Sequence, residues 1–206
     1  RDGQLKISEF SHGNLVKDHP MKATDEENGV EVVFQPDENM FGNYFYISEY
    51  VDSMLKNYVY LNSGLVINFN GNKFFSRNGL ADLLNENMNK EGLYPLIHLK
   101  GEDIEIAFTH GLQYGEDYYS FVNGQNTTQG GSHLAAFKEA YVRTIRDFYK
   151  KEYDPSDIRS SIIAAISIKV EEPIFESQTK TKLGSKDMGP EGPSVRTFIT
   201  DFIKKQ

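Results

Sequence analysis

The sequence predicts an α+β fold of two layers, a sheet with helices against it, and three observations carry that prediction. The first is a β-branched run, Ile162 to Val170, continuous enough to be a buried strand. The second is a set of three strand candidates, Pro95 to Lys100, Ile104 to Thr109 and Tyr118 to Asn123. Their short connectors, Gly101-Glu102-Asp103 and Gly111 to Glu116, favour antiparallel neighbours. The third is a change of period between these blocks, where Leu134, Phe137, Tyr141, Ile145 and Phe148 fall on one side of a helix from Ser132 to about Lys151. Strands and helices in this mixed order make an α+β architecture.

Taken in order, Gln4 to Phe10 alternates Leu5, Ile7 and Phe10 as a half-buried strand, and Gly13-Asn14 offers a turn. Lys17 to Asn28 is polar and carries Pro20, which makes it a connector. Val30, Val32 and Phe34 alternate with Glu31, Val33 and Gln35, predicting a second strand stopped by Pro36. Val51, Leu55, Tyr58 and Val59 recur at helical spacing over Ile47 to Leu61, with Ser48 as cap and Asn62-Ser63-Gly64 as exit. Leu65 to Phe69 and Lys73 to Phe75 flank Asn70-Gly71-Asn72, a tight hairpin. Asn78-Gly79 opens a short helix, Leu80 to Met88. Ser132 is placed to cap the long helix, and a last helix, Val195 to Ile203, follows the break Gly189-Pro190-Glu191-Gly192-Pro193.

The composition sets bounds on function. The chain has 206 residues, 38% of them hydrophobic and 25% charged, enough for one or two domains with a sizeable core. No window approaches the roughly 20 apolar residues of a membrane span, so no membrane partner is expected. With no cysteine, disulfides and thiolate zinc sites are excluded. The formal net charge of −8 argues against a wholly basic surface. Residues 1–137 carry 9 basic and 19 acidic side chains (9 − 19 = −10), and residues 138–206 carry 13 and 11 (13 − 11 = +2). Contact with nucleic acid is therefore expected in the second part. Arg1 is not an initiator and no signal segment precedes the fold, so an internal part of a longer protein is expected.

The stretch Asp157 to Ser185 is specific over its whole length. It reads D-x-R, then I-x-A-A-I-S-I-K-V, then E-x-P-x-F-E-S-Q-T-K-T-K-L-G-S, and it resembles the transducer domain of the type IIA DNA topoisomerase B subunits, DNA gyrase B and topoisomerase IV B. Ser120 to His133, SFVNGQNTTQGGSH, resembles the same family's strand, double-glycine turn and long helix. Gly29 to Asp37, GVEVVFQPD, resembles the last part of the GHKL ATPase lobe that precedes the transducer. The resemblance implies residues 1–79 as the end of that lobe's sheet, and residues 80–206 as a transducer with a two-layer fold like that of a small-subunit ribosomal protein. It also implies a cytoplasmic homodimer acting on ATP with Mg²⁺, a DNA duplex and the topoisomerase A subunit.

By the residues alone Lys180 is an ordinary surface lysine after a strand. The resemblance makes Gln178 and Lys180 ATP-binding and gives Lys180 the catalytic contact with the γ-phosphate, a task suited to a compact ammonium. Lys182 lies outside the family's Q-T-K motif. The other GHKL motifs, a glutamate for water, an asparagine for Mg²⁺, an Asp-x-Gly-x-Gly turn and a glycine-rich lid, do not occur in residues 1–206. The resemblance puts them upstream, so the chain by itself is expected to bind no ATP and to be inactive. Gly29-Val30 stands where the family commonly has Gly-Thr, and valine brings no hydroxyl.

Arg143, Arg146 and Lys150 share a face of the helix from Ser132, opposite its apolar stripe, and Lys138 flanks the buried side. An ordinary solvated face, favoured by Glu139, and a DNA-facing stripe, implied by the resemblance, both fit that pattern. The five histidines have no metal spacing and no metal site is assigned. His133 is placed to brace the double-glycine turn, without chemistry, and Gly130-Gly131 is as well explained by a turn as by a phosphate loop. Two rival functions remain at this level: a non-catalytic nucleic-acid- or protein-binding module of the same fold, and another GHKL ATPase of mismatch-repair type. The Q-T-K loop separates both from the topoisomerase reading. Lys186 to Pro193, KDMGPEGP, looks more like topoisomerase IV B than gyrase B.

Overall fold

The structure, a computed structural model, describes residues 1–88 and 90–206. Its contacts divide the chain into two compact units, Arg1–Ser48 and Glu49–Gln206.

In the first unit β1 (Gln4–Leu5) pairs antiparallel with β4 (Lys22–Ala23), and β2 (Ser8–Ser11) with β3 (Asn14–Asp18). The turn between β2 and β3 uses His12 and Gly13, both at positive φ. The predicted first strand is thus two short strands, and it is exposed rather than half-buried: Phe10 is 65% accessible. The polar connector holds the end of β3 and all of β4. The short helix α1 (Glu38–Phe41) was not anticipated; its cap is Asp37, whose carboxylate accepts from the Asn39 N–H at 2.8 Å. The predicted strand at Val30 to Phe34 is absent. Its alternation is real, but no described strand pairs with it, and an unpaired ladder has nothing to hold its backbone extended.

The second unit carries the expected elements. Helix α2 (Ser48–Leu61) begins at Ser48 itself, and β5 (Val66–Phe69) turns through Asn70 and Gly71, both at positive φ, into β6 (Asn72–Phe75). That two-residue turn with both central residues left-handed matches the twist of a hairpin. Helix α3 (Leu80–Asn87) follows Gly79, and Asp82 reaches back to accept from Ser76 Oγ, the Arg77 and Asn78 N–H groups and Asn78 Nδ2.

The main sheet contains β7 (Ile97–Lys100), β8 (Ile104–His110), β9 (Asp117–Val122), β10 (Gln125–Asn126) and β11 (Ile162–Ile168), in the order β10-β9-β11-β8-β7. β7 and β8 are antiparallel neighbours, as their short connector predicts. β8 and β9 are not neighbours. β11 lies between them, antiparallel to β8 (Ala165 opposite Ala107) and parallel to β9 (Ala165 opposite Tyr119). A connector of residues 111–116 spans two strand spacings, about 10 Å, without strain. The parallel pair needs a long crossover, supplied by α4 (Ser132–Tyr149) and α5 (Pro155–Arg159). Helix α6 (Val195–Lys204) closes the chain, its N-cap Ser194 accepting from the Thr197 N–H.

β11 explains why its run is apolar on both faces. Ile162, Ala164, Ile166 and Ile168 pack with Ile106 and Val122 against Ala136, Phe137, Ala140 and Tyr141 of α4 and Val195 and Ile199 of α6. Ala165 joins Ala107 and Phe121 on the other face, covered by Leu80, Leu83 and Leu84 of α3 and Tyr60 of α2. Phe148 corrects the predicted stripe of α4, being 77% accessible as the next-to-last residue of the helix. Accordingly Ile166→Ala, which empties a central buried site, should lower unfolding free energy by about 2–5 kcal/mol, while Phe148→Ala should stay within about 0.5 kcal/mol of the parent. Urea denaturation of the two variants checks the pair.

Candidate functional site

The loop that carries Gln178 and Lys180 is the tip of a small hairpin whose arms are residues 174–176 and 182–185. The Glu176 N–H donates to the Lys182 carbonyl at 3.0 Å, the Gly184 N–H to the Ile174 carbonyl at 2.8 Å and the Ile174 N–H to Ser185 Oγ at 2.7 Å. At the tip the Lys180 N–H donates to the Ser177 carbonyl at 3.0 Å, and Lys180 has φ 55°. The Lys180 side chain is exposed at this tip.

Three contacts fix this hairpin to the turn before α4. Gln129 N–H donates to the Thr181 carbonyl (2.9 Å), Leu183 N–H to the Gly130 carbonyl (3.0 Å) and Ser132 N–H to the Leu183 carbonyl (3.1 Å). The Leu183 side chain, 1% accessible, is part of the core beneath α4. The double glycine therefore makes this seam. A Cβ on Gly131 would lie 2.4 Å from the Leu183 carbonyl oxygen and 2.5 Å from its nitrogen, and Gly131 has φ 132°. Ser132 does not cap α4. It is the first helical residue, Gly131 holds the cap position, and the Ser132 hydroxyl donates instead to the Ser185 carbonyl at 2.6 Å, a fourth tie to the hairpin.

The two lysines of the loop differ in environment. Lys182 Nζ is 3.0 Å from Glu176 Oε1, whereas the exposed Lys180 ammonium has no carboxylate partner and donates no hydrogen bond among the described residues. Gln178 is also exposed beside it. The pair suits an external anion: a free ammonium, with an amide two residues away. Among the described residues no grouping of three or more His, Asp or Glu side chains is disposed to bind a metal.

The basic residues of α4 form two groups. Arg143, Arg146 and Lys150 run down one face, where Arg143 Nε lies 3.8 Å from Asp147 Oδ2. Arg146 Nε donates to the Tyr153 carbonyl at 2.8 Å, its Nη1 is 3.3 Å from Glu152, and it thereby ties down the chain after the helix. Lys150 is the exposed, left-handed C-cap and pairs with no described carboxylate. Glu139 of the same face pairs with Arg196 of α6. Lys138 belongs elsewhere. Its Nζ is 3.1 Å from Glu116 Oε2 and 4.0 Å above the Tyr118 ring, while Arg159 Nε is 3.0 Å from Glu116 Oε1 and the Tyr118 hydroxyl donates to Glu116 at 2.8 Å. Burial opposes ionisation of Glu116, but the donors Tyr118, Lys138 and Arg159 outweigh it and hold the carboxyl below its ordinary value. Sequence reasoning missed Glu116 and Arg159; Arg159 lies in the D-x-R motif, but nothing along the chain signals that Glu116 meets it.

His133, the second residue of α4, is fully buried, and burial pushes its pKa down to about 4. No helix among the described residues is long and apolar enough to cross a membrane.

The mixed sheet with α4 crossing it is the architecture of the ATPase regions of type II topoisomerases. Over the whole chain and 61% of the other, it superposes with a TM-score of 0.75 and 24% identity on the 43K ATPase domain of Thermus thermophilus gyrase B, solved with an aminocoumarin. The topoisomerase IV ATP-binding domain of Francisella tularensis, solved with a small-molecule inhibitor, matches at 0.71 and 20% identity, with coverages of 100% and 61%. The family model described as DNA gyrase B matches residues 47–206, and the chain belongs to that family. It is 40% identical to the B subunit of DNA topoisomerase 4 from Borreliella burgdorferi, over 100% of this chain and 34% of the relative. Identity to the B subunit of DNA gyrase from Chlamydia muridarum is 31%, over 100% and 29%. The chain spans about a third of the length of these curated relatives.

Gly131→Ala tests the seam. The added methyl meets backbone that cannot swing aside, so the variant should lose clearly more stability than Gly124→Ala, a positive-φ glycine with nothing within 4 Å of its Cβ position. The control should cost only the left-handed penalty of about 1–2 kcal/mol. Denaturant midpoints of both variants provide the comparison.

Proposed function

We propose that the chain belongs to the ATPase region of a B subunit of an ATP-dependent DNA topoisomerase, and that the hairpin tip 177–181 offers Lys180 to the γ-phosphate of ATP. The observation that carries the reading is the contrast between the two lysines: Lys182 is neutralised by Glu176, and Lys180 stands free at the tip of a loop anchored on both arms. Phosphoryl transfer spreads negative charge over the transferred oxygens, and a positioned ammonium stabilises that charge without reorganising. Gln178 adds an amide donor beside it. ATP with Mg²⁺ is the substrate in this reading, and the ion is held by groups outside residues 1–206. By the same resemblance the nucleotide lobe ends near residue 79 and residues 80–206 act as the transducer.

The partners follow from the reading: a second copy of the same protein, the topoisomerase A subunit and a DNA duplex, in the cytoplasm. The 40% identity to a topoisomerase IV relative, against 31% to a gyrase relative, supports the topoisomerase IV type, as does KDMGPEGP. DNA phosphates meet the second part of the chain, through Arg143 and Lys150 on one face of α4 and Lys138 beside Arg159, with Arg146 holding the helix end. Such contacts are independent of base sequence.

Two experiments on the full-length protein test the reading. Lys180→Ala should weaken binding of a non-hydrolysable ATP analogue by about 1.5–3 kcal/mol, lower ATP turnover and relaxation of supercoiled DNA, and leave ADP affinity nearly unchanged. Lys182→Ala changes the same loop's charge and should behave like the parent; a Lys182→Ala loss exceeding that of Lys180→Ala would sink the assignment. Separately, Arg143→Glu with Lys150→Glu should reduce DNA stimulation of ATP hydrolysis while sparing the basal rate. Arg146 is left in place because it holds Tyr153. Equal loss of both rates would place these residues in folding rather than DNA contact.

A further inference from the structure

We propose that His133 is a positioning residue for Lys180, its imidazole locking the turn of residues 127–132 on which the lysine hairpin is hung. This rests on the reading of Lys180 given above.

The geometry is a continuous polar chain in an otherwise apolar interior. Ser120, Thr127 and His133 are all buried, and His133 has no accessible surface. Thr127 Oγ1 donates to the Ser120 carbonyl at 2.8 Å, and Ser120 Oγ donates to the Thr127 carbonyl at 2.8 Å. The two hydroxyl oxygens are themselves 2.7 Å apart, so Ser120 and Thr127 form one closed hydrogen-bonded pair. His133 Nε2 lies 3.2 Å from Thr127 Oγ1 and joins the imidazole to that pair. The imidazole Nδ1 has no partner among the described residues. An interior that needed only volume here would be filled by leucine, without an unsatisfied nitrogen.

What the network secures is the turn itself. Thr127 is tied to β9 by its own N–H, which donates to the Ser120 carbonyl at 2.8 Å, and the Gly130 N–H donates to the Thr127 carbonyl at 2.7 Å. Every backbone bond that holds the hairpin to this turn comes from Gln129, Gly130 or Ser132. These three residues lie between the two ends of the Thr127–His133 hydrogen bond. Loosening that bond frees the platform, and the hairpin tip moves with it.

The test uses the full-length protein with His133→Leu, His133→Gln, His133→Asn and Lys180→Ala. The amide nitrogen of glutamine reaches the place of Nε2, and that of asparagine falls short of it. His133→Leu and His133→Asn should weaken binding of a non-hydrolysable ATP analogue about tenfold, within the range set by one charge-assisted contact, with ADP affinity held within about twofold. His133→Gln should recover most of the loss, and adding His133→Asn to Lys180→Ala should cost nothing further. Hydrogen exchange of the Leu183 and Ser132 amides should quicken in the leucine and asparagine variants and return towards the parent rate in glutamine. Unchanged exchange with unchanged analogue affinity overturns the proposal, as does an equal loss for ADP and the analogue. So does a further loss in the Lys180→Ala background. If the leucine variant fails to fold, the glutamine and asparagine pair decides. If Lys180→Ala alone binds the analogue like the parent, the reading of Lys180 fails, and the exchange rates still show whether His133 holds the hairpin.

Discussion

The contact between the backbones of Gly131 and Leu183 is the constraint on which the rest of the second unit depends. It brings the N-terminus of the crossover helix and the return arm of the lysine hairpin closer than any side chain at 131 would permit. Because Leu183 is also a core residue under α4, the seam couples packing to presentation. The same residue that fills the interior fixes, three positions earlier, where the ammonium of Lys180 begins. A loop held this way loses little further freedom when it meets a ligand, which is how a positioned charge acts without a large ordering cost.

Several charges around the lysine hairpin and α4 are paired within the chain. Lys182 is neutralised by Glu176, Lys138 and Arg159 share Glu116, and Arg146 is turned onto a carbonyl beyond its helix. Exposed pairs of this kind add little stability, about 0–1 kcal/mol each. Their consequence is selection: they leave Lys180 and Lys150 as cations in these two regions without a carboxylate partner among the described residues. The basic face of α4 thus carries less unpaired positive charge than its sequence suggests, whereas Lys180 at the hairpin tip keeps its own.

The central strand is held by a comparable constraint in apolar terms. β11 lies between β8 and β9, with Ile162, Ile166 and Ile168 towards α4 and α6 and Ile163 and the small Ala165 towards α3. Larger side chains on the α3 face would push the leucines of that helix away, since interiors have no spare volume. α3 stays close to the sheet because the sequence places alanines, not further isoleucines, at Ala107 and Ala165.

Sequence alone determined the elements whose cause is local. The β-branched run made β11, the 3.6-residue period made α4, Asn70-Gly71 made its hairpin, and the Q-T-K block with its flanks marked the family. Each follows from backbone preference or from a motif read in one stretch. Tertiary structure decided whatever depends on a partner distant in the chain. Val30 to Phe34 has the alternation of a strand but no described neighbour to pair with, and Phe148 keeps the helical period but is exposed at the end of α4. The place of β11 between β8 and β9 could not be read from a short connector, because six residues span one intervening strand as easily as none. The difference between Lys180 and Lys182 lies in Glu176 across the hairpin, and the work of the double glycine lies in Leu183, more than fifty residues away. Composition and period are properties of a segment, whereas pairing, neutralisation and close approach are properties of two segments brought together, and only the fold brings them together.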